Sequence, residues 1–280
     1  MTRRAGIIGH PVEHSLSPVF QAAAFAHCGL DVVYERWDTP LADLPARVEF
    51  LRDPAVLGAN VTVPHKEHVL SLLDEVGGLA ARAGAVNTIV NRGGRLFGFN
   101  TDGPGFVAAL RQEAVFEPAG RTFLLLGAGG AARGIALALA EVRASAIHIW
   151  NRTPDRAALL AADLGPPASP LAEPPSLQGY DCLVNCTTIG MQGGPNPSAS
   201  PISLETAPPG LLVVDIVYAP LETPLLRAAA SLGLPTLGGL PMLIYQGALA
   251  FEHWTGLPAP VDVMFAAARS ELARRHGGPP

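Results

Sequence analysis

Short apolar runs alternate with longer segments of helical periodicity through the first third of the chain. The apolar runs have the length of buried strands, and the segments between them are long enough for helices. The predicted strands are residues 5–9, 32–37, 56–63, 85–90 and 95–99, and the predicted helices are 17–30, 43–52 and one that begins near residue 66. Strands that alternate with helices predict a mostly parallel sheet covered on both faces.

A second alternation of the same kind follows a predicted connecting helix at 102–114. Its predicted strands are 121–126, 146–151, 182–187, 211–217 and 234–238, and its predicted helices are 130–142, 153–164 and 224–232. Two segments, 165–179 and 190–210, are rich in Pro, Gly and Ser and predict surface loops without packed structure. The chain closes with two predicted helices, at 242–256 and 261–275.

The two alternations predict two α/β domains, at 1–102 and 103–238. We expect the C-terminal helices, within 239–280, to pack on the first domain. We also expect the active site to lie in a cleft between the two domains, where ligands commonly bind.

Composition narrows the function classes. The chain has 280 residues, 49% of them apolar, and a net charge of −5, so it lacks the basic field of a nucleic-acid-binding protein. Neither a membrane-spanning apolar run nor a signal peptide is predicted. The three cysteines have no metal-ligand spacing and predict buried thiols in a reducing cytoplasm, although a Cys182–Cys186 redox pair is an alternative.

The string LLLGAGGAARG at 124–134 predicts a dinucleotide-binding turn between a strand and a helix. Gly127 permits the tight turn, Gly129 lets the backbone approach a pyrophosphate, and Ala132 allows close packing of helix on strand. The helix N-terminus near Gly130 offers free N–H groups to the phosphates, with Ala128 and Ala131 beside it. The alternative is an ordinary tight turn.

The end of the next strand predicts the kind of nucleotide. An NAD site carries an acidic residue there, about 20 residues beyond the glycines, that binds the ribose 2′-hydroxyl. This chain instead has Asn151, Arg152, Thr153 and Arg156, and the only acid, Asp155, falls inside the predicted helix. Guanidinium groups bind a 2′-phosphate, so we predict NADP(H). Two solvated arginines at a helix start are the alternative.

Two further strings carry a candidate proton-transfer pair. NVTVPHK at 60–66 puts Lys66 after a strand, and NTDG at 100–103 puts Asp102 at the start of a helix. A lysine and a carboxylate beside a redox nucleotide predict proton delivery coupled to hydride transfer. The alternatives are a solvated lysine in a first helical turn and a carboxylate that only caps its helix. The histidines are scattered, and no metal site is predicted.

The motifs GHPVEHSLSP, NVTVPHK, GAVNT, GFNTDG, GAGGAA, NRT, VNCTTIGM, DIVYAPLETPLL and GLPMLIYQ occur in the order typical of shikimate dehydrogenases, and the chain resembles that family over nearly its full length. The resemblance implies an N-terminal substrate domain and a C-terminal Rossmann-type NADP domain. It implies NADPH-dependent reduction of 3-dehydroshikimate to shikimate in the cytoplasmic biosynthesis of chorismate and aromatic amino acids. It leaves monomer and homodimer open.

The resemblance also assigns roles to residues. It implies that Lys66 is catalytic, with Asp102 as its partner, and that the substrate carboxylate is bound by Ser15, Ser17 and Tyr218. It implies hydrogen bonds to the ring hydroxyls from Asn60, Thr62, Asn87 and Gln246, with Lys66 and Asp102 also in reach, and cofactor contacts from Thr187, Ile216 and Gly239. Plain structural roles are the alternatives: turn or cap for the serines, packing for Tyr218, a satisfied core amide for Gln246.

Two positions depart from the family pattern. Gln21 stands where the first motif usually has a histidine, and Pro241 stands where many relatives have glycine in G-L-G-M-L. Two other functions compete with the leading one. The first is a quinate/shikimate dehydrogenase that uses NAD or NADP, and the second is a non-catalytic NADP-binding sensor module.

Overall fold

The computed structural model describes residues 2–275, and the chain divides into two compact units. The first unit comprises Met1–Thr101 and Ile244–Pro280, and the second comprises Asp102–Leu243. The second unit thus starts one residue before the predicted domain start at 103, and it also takes in Gly239–Leu243.

The first unit is built on a six-stranded mixed sheet. Its elements up to residue 101 are β1 (Arg3–Gly9), α1 (Ser17–His27), β2 (Val32–Asp38), α2 (Leu44–Phe50), β3 (Val56–Val61), β4 (Glu75–Val76), α3 (Gly78–Ala83), β5 (Thr88–Arg92) and β6 (Arg95–Phe99). The strand order is β2-β1-β3-β5-β6-β4, and only β5 runs antiparallel to its neighbours. Gly93 and Gly94, both with positive φ, form the tight turn that reverses the chain between β5 and β6.

The prediction of a helix that begins near Lys66 is wrong. Residues 64–69 form turns, a short 3₁₀ helix follows at Leu70–Leu72, and the next α-helix begins only at Gly78. In a helix the Lys66 carbonyl would accept from the N–H of residue 70. Here it accepts from the N–H of Val86 at 2.8 Å, a long-range bond that the helical pattern does not contain.

The second unit is a doubly wound parallel sheet. Its elements are α4 (Asp102–Glu113), β7 (Thr122–Leu126), α5 (Gly130–Glu141), β8 (Ala146–Trp150), α6 (Pro154–Leu164), β9 (Ala168–Leu171), β10 (Cys182–Asn185), β11 (Leu212–Asp215), α7 (Pro224–Ser231) and β12 (Thr236–Leu237). The strand order is β12-β11-β10-β7-β8-β9, and all neighbours are parallel. This is the Rossmann order, with its topological switch point between β7 and β10, where such sheets bind ligands.

The two segments predicted as unpacked surface loops are partly structured. β9 lies inside 165–179 and pairs with β8 at the edge of the sheet. Leu177 and Leu204 are 1% and 4% exposed and belong to the same apolar cluster as Leu183 and Leu211. Isolated leucines among Pro, Gly and Ser have no periodicity, so the pattern did not reveal their burial.

The chain ends with α8 (Gly239–Thr255), which crosses the boundary between the units, and α9 (Val261–Arg275). Within the first unit α9 packs against α1, and the rings of Phe25 and Phe251 lie 5.2 Å apart. Between residues 2 and 275, no helix combines the length and apolar character needed to cross a membrane.

Candidate active site

Five neutral polar side chains, four of them at strand ends, lie buried together in the first unit. We call them the amide–hydroxyl cluster: Asn60, Asn87, Thr88, Thr101 and Gln246, each at most 9% exposed. The sheet explains the grouping. Asn60 pairs with Thr88 across β3 and β5, and Thr88 pairs with Phe99 of β6. The carboxyl ends of β3 and β6 therefore meet the amino end of β5 at one edge.

Asn87 is the centre of this cluster. Its Nδ2 donates to Thr101 Oγ1 at 2.9 Å and to Gln246 Oε1 at 3.3 Å. Its Oδ1 accepts from the Thr101 N–H at 2.8 Å and from the Thr88 hydroxyl at 3.2 Å. Asn60 Nδ2 donates to Thr88 Oγ1 at 3.2 Å. Every amide in the set is thereby fixed in orientation, which is the requirement for reading a pattern of ligand hydroxyls.

Lys66 is half-buried, and hydrogen bonds of Lys66 and of its neighbour His65 fix the main chain here. Its carbonyl accepts from Val86, the residue before Asn87. The neighbouring His65 is fully buried, and its Nε2 lies 2.6 Å from the Thr39 carbonyl. Lys66 is also the only lysine of the chain, a signal that the motif analysis missed.

The predicted serines lie at the start of α1. Ser17 is 3% exposed, and it is the first residue of the helix rather than its cap, since Leu16 occupies the capping position. The Ser17 N–H donates to Ser15 Oγ at 3.2 Å, so Ser15 has the predicted turn contact as well as a half-buried hydroxyl. Thr62, also half-buried, follows β3, and its N–H donates to the Ile8 carbonyl at 2.8 Å.

Gln21, the first departure from the family pattern, is fully buried in α1. Its Nε2 donates to the Gly247 carbonyl at 2.8 Å, directly beside Gln246. The second departure, Pro241, lies in the first turn of α8. The N–H groups of a first turn have no partner within the helix, so proline is tolerated there.

In the second unit the glycine turn fits a dinucleotide phosphate. Gly127 has φ +107°, and a Cβ there would lie 3.0 Å from Thr187 Cγ2, so only glycine suits this position. Gly129 caps α5 and Gly130 begins it, and a Cβ at either would meet no atom within 4 Å. Ala132 is fully buried. Bare backbone N–H groups therefore face open space at a helix N-terminus, flanked by Ala128 and Ala131.

The segment after β8 lies at the same sheet edge, because the Gly127 N–H donates to the Trp150 carbonyl at 2.8 Å. Asn151 Nδ2 donates to the Thr153 carbonyl at 2.9 Å. Arg152 and Arg156 are exposed, and neither guanidinium has a hydrogen bond or ion pair with any other described residue. Asp155 lies in the first turn of α6, as predicted.

A buried carboxylate, which the sequence analysis did not single out, organises the far side of the switch point. Asp215, fully buried at the end of β11, accepts from Asn185 Nδ2 at 3.0 Å, from the Val217 N–H at 3.1 Å and from the Thr223 hydroxyl at 2.7 Å. Asn185 Oδ1 in turn accepts from the Thr187 hydroxyl at 2.7 Å. We call Asp215, Asn185, Thr187 and Thr223 the carboxylate cluster. Burial raises the pKa of Asp215 above its ordinary value.

The remaining predicted residues of the second unit lie near this cluster. The Ile216 N–H donates to the Asn185 carbonyl at 3.2 Å, and the Gly239 N–H donates to the Val217 carbonyl at 3.2 Å. A Cβ on Gly239 would collide with the Ile216 carbonyl, which explains the glycine. Tyr218 is half-buried.

The cysteines form no disulfide, and Cys182 is buried while Cys28 and Cys186 are half-buried. Burial raises the pKa of Cys182 and Cys186, which opposes the thiolate character that a redox pair requires. Within the described part of the chain, no three His, Cys, Asp or Glu side chains are grouped as metal ligands.

Three family models match successive parts of the chain. They are the shikimate dehydrogenase substrate binding domain at residues 7–89, shikimate / quinate 5-dehydrogenase at 110–216 and the shikimate 5'-dehydrogenase C-terminal domain at 239–269. The NADP(+)-dependent shikimate dehydrogenase of Symbiobacterium thermophilum is 46% identical over 281 residues, which cover 96% of this chain and 95% of that protein.

Solved structures agree. Shikimate 5-dehydrogenase from Thermus thermophilus, in complex with NADP(H) and shikimate, is 47% identical with a TM-score of 0.87, covering 96% of this chain and 99% of that one. Quinate dehydrogenase from Corynebacterium glutamicum, in complex with NAD, is 30% identical with a TM-score of 0.86, covering 96% and 99%. The similarity extends over nearly the whole chain, and it confirms the resemblance carried by the motifs. The chain therefore belongs to the shikimate dehydrogenase family.

Proposed function

We propose that this protein catalyses the reversible NADPH-dependent reduction of 3-dehydroshikimate to shikimate. The observation that carries the proposal is the amide–hydroxyl cluster. Such a set of fixed donors and acceptors is suited to a cyclic polyol acid, because it penalises analogues that lack a hydroxyl. The family relationship supports the same activity.

Lys66 is the proposed general acid and base. When NADPH is bound, its nicotinamide supplies the hydride to the substrate ketone. Negative charge then develops on the carbonyl oxygen, and the Lys66 ammonium stabilises it and gives it a proton. In the oxidative direction the neutral amine accepts the hydroxyl proton. The residue type supports this role, since Lys66 is the only lysine among the chain's 19 Lys and Arg residues, and arginine does not release its proton in proteins.

Asp102 is the proposed partner that orients the Lys66 ammonium and holds a substrate hydroxyl. It directly follows Thr101, whose N–H and hydroxyl are bound to Asn87. The backbone on the N-terminal side of Asp102 is therefore fixed, which limits the positions open to its carboxylate.

The other predicted contacts complete the proposed substrate site. Ser15, Ser17 and Tyr218 bind the carboxylate, and hydroxyl and phenol donors suit that group. Asn60, Thr62, Asn87 and Gln246 bind the ring hydroxyls. The burial and mutual hydrogen bonds of Asn60, Asn87 and Gln246 support their assignment, because such groups keep one orientation.

NADP(H) is the proposed cofactor. Its pyrophosphate binds at the N-terminus of α5 between Gly127 and Ala132, and its 2′-phosphate binds to Arg152 and Arg156, with Asn151 and Thr153 nearby. Thr187, Ile216 and Gly239 contribute the remaining contacts. The two guanidinium groups without partners among the described residues support this assignment, since a local carboxylate would otherwise compete with the phosphate.

The decisive experiment compares Lys66→Ala with Lys66→Arg. NADPH oxidation that depends on 3-dehydroshikimate is followed by absorbance. We expect both variants to lose at least about 100-fold in kcat, because arginine keeps the charge but cannot transfer the proton. Cofactor binding, measured by fluorescence titration, should not change. Full turnover by either variant would refute the mechanism.

A second candidate function is favoured by the similarity to quinate dehydrogenase from Corynebacterium glutamicum. Arg152 and Arg156, which have no partner among residues 2–275, weigh against NAD, but they do not bear on the extra ring hydroxyl of quinate. The ratio of kcat/KM for shikimate and quinate, each measured with NADP and NAD, separates the two enzymes. The sensor alternative predicts cofactor binding in calorimetry without turnover on either acid.

We propose further that the enzyme serves chorismate and aromatic amino acid biosynthesis in the cytoplasm. Complementation of an auxotroph that lacks this step tests the pathway role. Light scattering in solution distinguishes monomer from homodimer.

A further inference from the structure

Tyr34 lies in β2 and is 7% exposed. The β2 strand pairs with β1, which lies between β2 and β3. The register sets Tyr34 beside Ala5 of β1, and Ala5 beside Gly58 of β3. These two small residues leave room for the phenol ring to extend across β1 toward β3. The ring of Trp254 covers it at 6.1 Å between centroids.

The Tyr34 hydroxyl bonds to one of the proposed substrate-binding residues. It donates to Asn60 Oδ1 at 2.7 Å. This bond holds the Asn60 oxygen toward Tyr34, so that Nδ2 is directed to Thr88 Oγ1 at 3.2 Å and to the Asn87 carbonyl at 3.3 Å. A hydroxyl on β2 thus fixes the orientation of an amide in the amide–hydroxyl cluster.

We propose that Tyr34 is a positioning residue for substrate recognition, whose hydroxyl fixes the orientation of the Asn60 amide. The inference rests on the proposed function, in which Asn60 binds a ring hydroxyl of the substrate. The Tyr34 bond decides which end of the Asn60 amide faces Thr88 and Asn87, and hence how Asn60 meets that hydroxyl. Burial raises the pKa of Tyr34 well above its ordinary value, so the hydroxyl keeps its proton, and its donor role, at neutral pH.

Tyr34→Phe tests the inference. It keeps the ring against Trp254 and removes only the hydroxyl that donates to Asn60. We expect the shikimate KM to rise about 10-fold, which corresponds to one lost hydrogen bond, while kcat changes less than about 2-fold and the NADP KM is unchanged. A purely structural role would not raise the shikimate KM while leaving kcat and the NADP KM nearly unchanged.

Tyr180→Phe is the matched control. Tyr180, in the second unit, also uses its hydroxyl in a side-chain hydrogen bond, with His148 Nδ1 at 2.6 Å. Loss of the Tyr180 hydroxyl should lower the melting temperature without changing the shikimate KM. An equal change in shikimate KM in both variants would assign the Tyr34 effect to stability and overturn the inference, as would a Tyr34→Phe protein that does not fold.

A double-mutant cycle separates this inference from the proposed function. Asn60→Ala and Tyr34→Phe should each raise the shikimate KM, and the double variant should cost less than the two combined, because both remove the same contact. Asn60→Ala with no effect on shikimate would refute the proposed binding of a ring hydroxyl by Asn60. An Asn60→Ala effect that adds fully to that of Tyr34→Phe, or a Tyr34→Phe KM equal to that of the unmodified protein, would refute only the positioning role.

Discussion

The two units each bury a polar cluster at strand ends, and the two clusters differ in charge. The amide–hydroxyl cluster of the first unit is neutral, and its side chains bond mainly to one another. The carboxylate cluster of the second unit is built around Asp215, whose oxygens accept from three donors. Buried polar groups therefore occur both in the amide–hydroxyl cluster, a proposed ligand site, and in the carboxylate cluster, which has a structural role.

The difference indicates what each cluster does. Neutral amides in a fixed orientation can bind hydroxyls without requiring a counterion, which suits a polyol. The Asp215 carboxylate instead fastens the backbone after β11 to Asn185 and Thr223, so its bonds stabilise the loops at the switch point. We expect changes in the first cluster to alter substrate recognition and changes at Asp215 to alter stability.

The largest effect is expected from Asn87→Asp, which puts a carboxylate into the neutral cluster with no change of shape. The new carboxylate would face the Gln246 and Thr101 oxygens, to which Asn87 now donates. We expect about 3 kcal/mol less stability at neutral pH, and a fall of kcat/KM for 3-dehydroshikimate by about 100-fold or more. Denaturant unfolding and steady-state kinetics measure the two.

Asn91→Asp is the control for this change, since Asn91 also bonds main-chain groups through its amide, donating to the Asp53 carbonyl at 2.9 Å. It should lower stability and leave the shikimate KM as it was. If Asn87→Asp lowers stability alone, the amide–hydroxyl cluster is structural like its counterpart in the second unit.

An intermediate effect is expected from Arg152→Asp, because the proposed recognition of the 2′-phosphate in the second unit depends on charge. A guanidinium–phosphate contact is worth about 1.5–3 kcal/mol, so the NADP KM should rise about 10- to 100-fold and the preference should reverse toward NAD. Arg143→Asp makes the same charge change in the turn before β8, at the opposite end of the strands, and should alter neither KM. An unreversed preference would show that Arg152 does not contact the 2′-phosphate.

The smallest effect is expected from Asp215→Asn. The amide retains acceptors for Asn185 and Val217, and the Thr223 hydroxyl can rotate, so we expect a loss of about 1 kcal/mol near pH 4. Since burial raises the pKa of Asp215 above 3.8, the folded protein holds this proton more tightly than the unfolded chain. The stabilising contribution of Asp215 is therefore present at low pH and is lost as the pH rises through the raised pKa.

Denaturation curves from pH 4 to pH 8 test whether the contribution of Asp215 to stability falls as the pH rises. The difference in unfolding free energy between the unmodified protein and Asp215→Asn should shrink as the pH rises, with the shikimate KM unchanged throughout. A difference that grows with pH would mean that the three donors outweigh the effect of burial on Asp215.

Local sequence patterns predicted most of the fold. They failed where a contact between residues far apart in the chain determines the local structure. The buried run at 122–126, the glycine turn and α5 are each specified within a few residues, and they occur where predicted. The turn at Lys66 is set by the bond from Val86, twenty residues away. Its sequence alone resembles a helix start, and the prediction there was wrong for that reason.

The same distinction applies to the sites. Sequence motifs suggested Asn60, Asn87 and Gln246 as candidate site residues, but not the Tyr34 hydroxyl that donates to Asn60. Tyr34 is one of two buried aromatic residues of β2, together with Trp37, and in the sequence it looks like an ordinary core aromatic. Asp215 did leave a signal, since an acid at the end of the fully buried strand Leu212–Asp215 requires partners for its oxygens.

Because the chain has a single lysine, an amine-selective label can be used to observe that side chain by spectroscopy. Reductive methylation with carbon-13 formaldehyde modifies amines and spares guanidinium groups, so apart from the chain's own N-terminal amine it would label Lys66 alone. The methyl resonance of Lys66 then has to be told apart only from that of the N-terminal amine, and it reports on that one nitrogen. For the same reason, amine-directed immobilisation or dye conjugation would attach only at the N-terminal amine and at the proposed catalytic side chain.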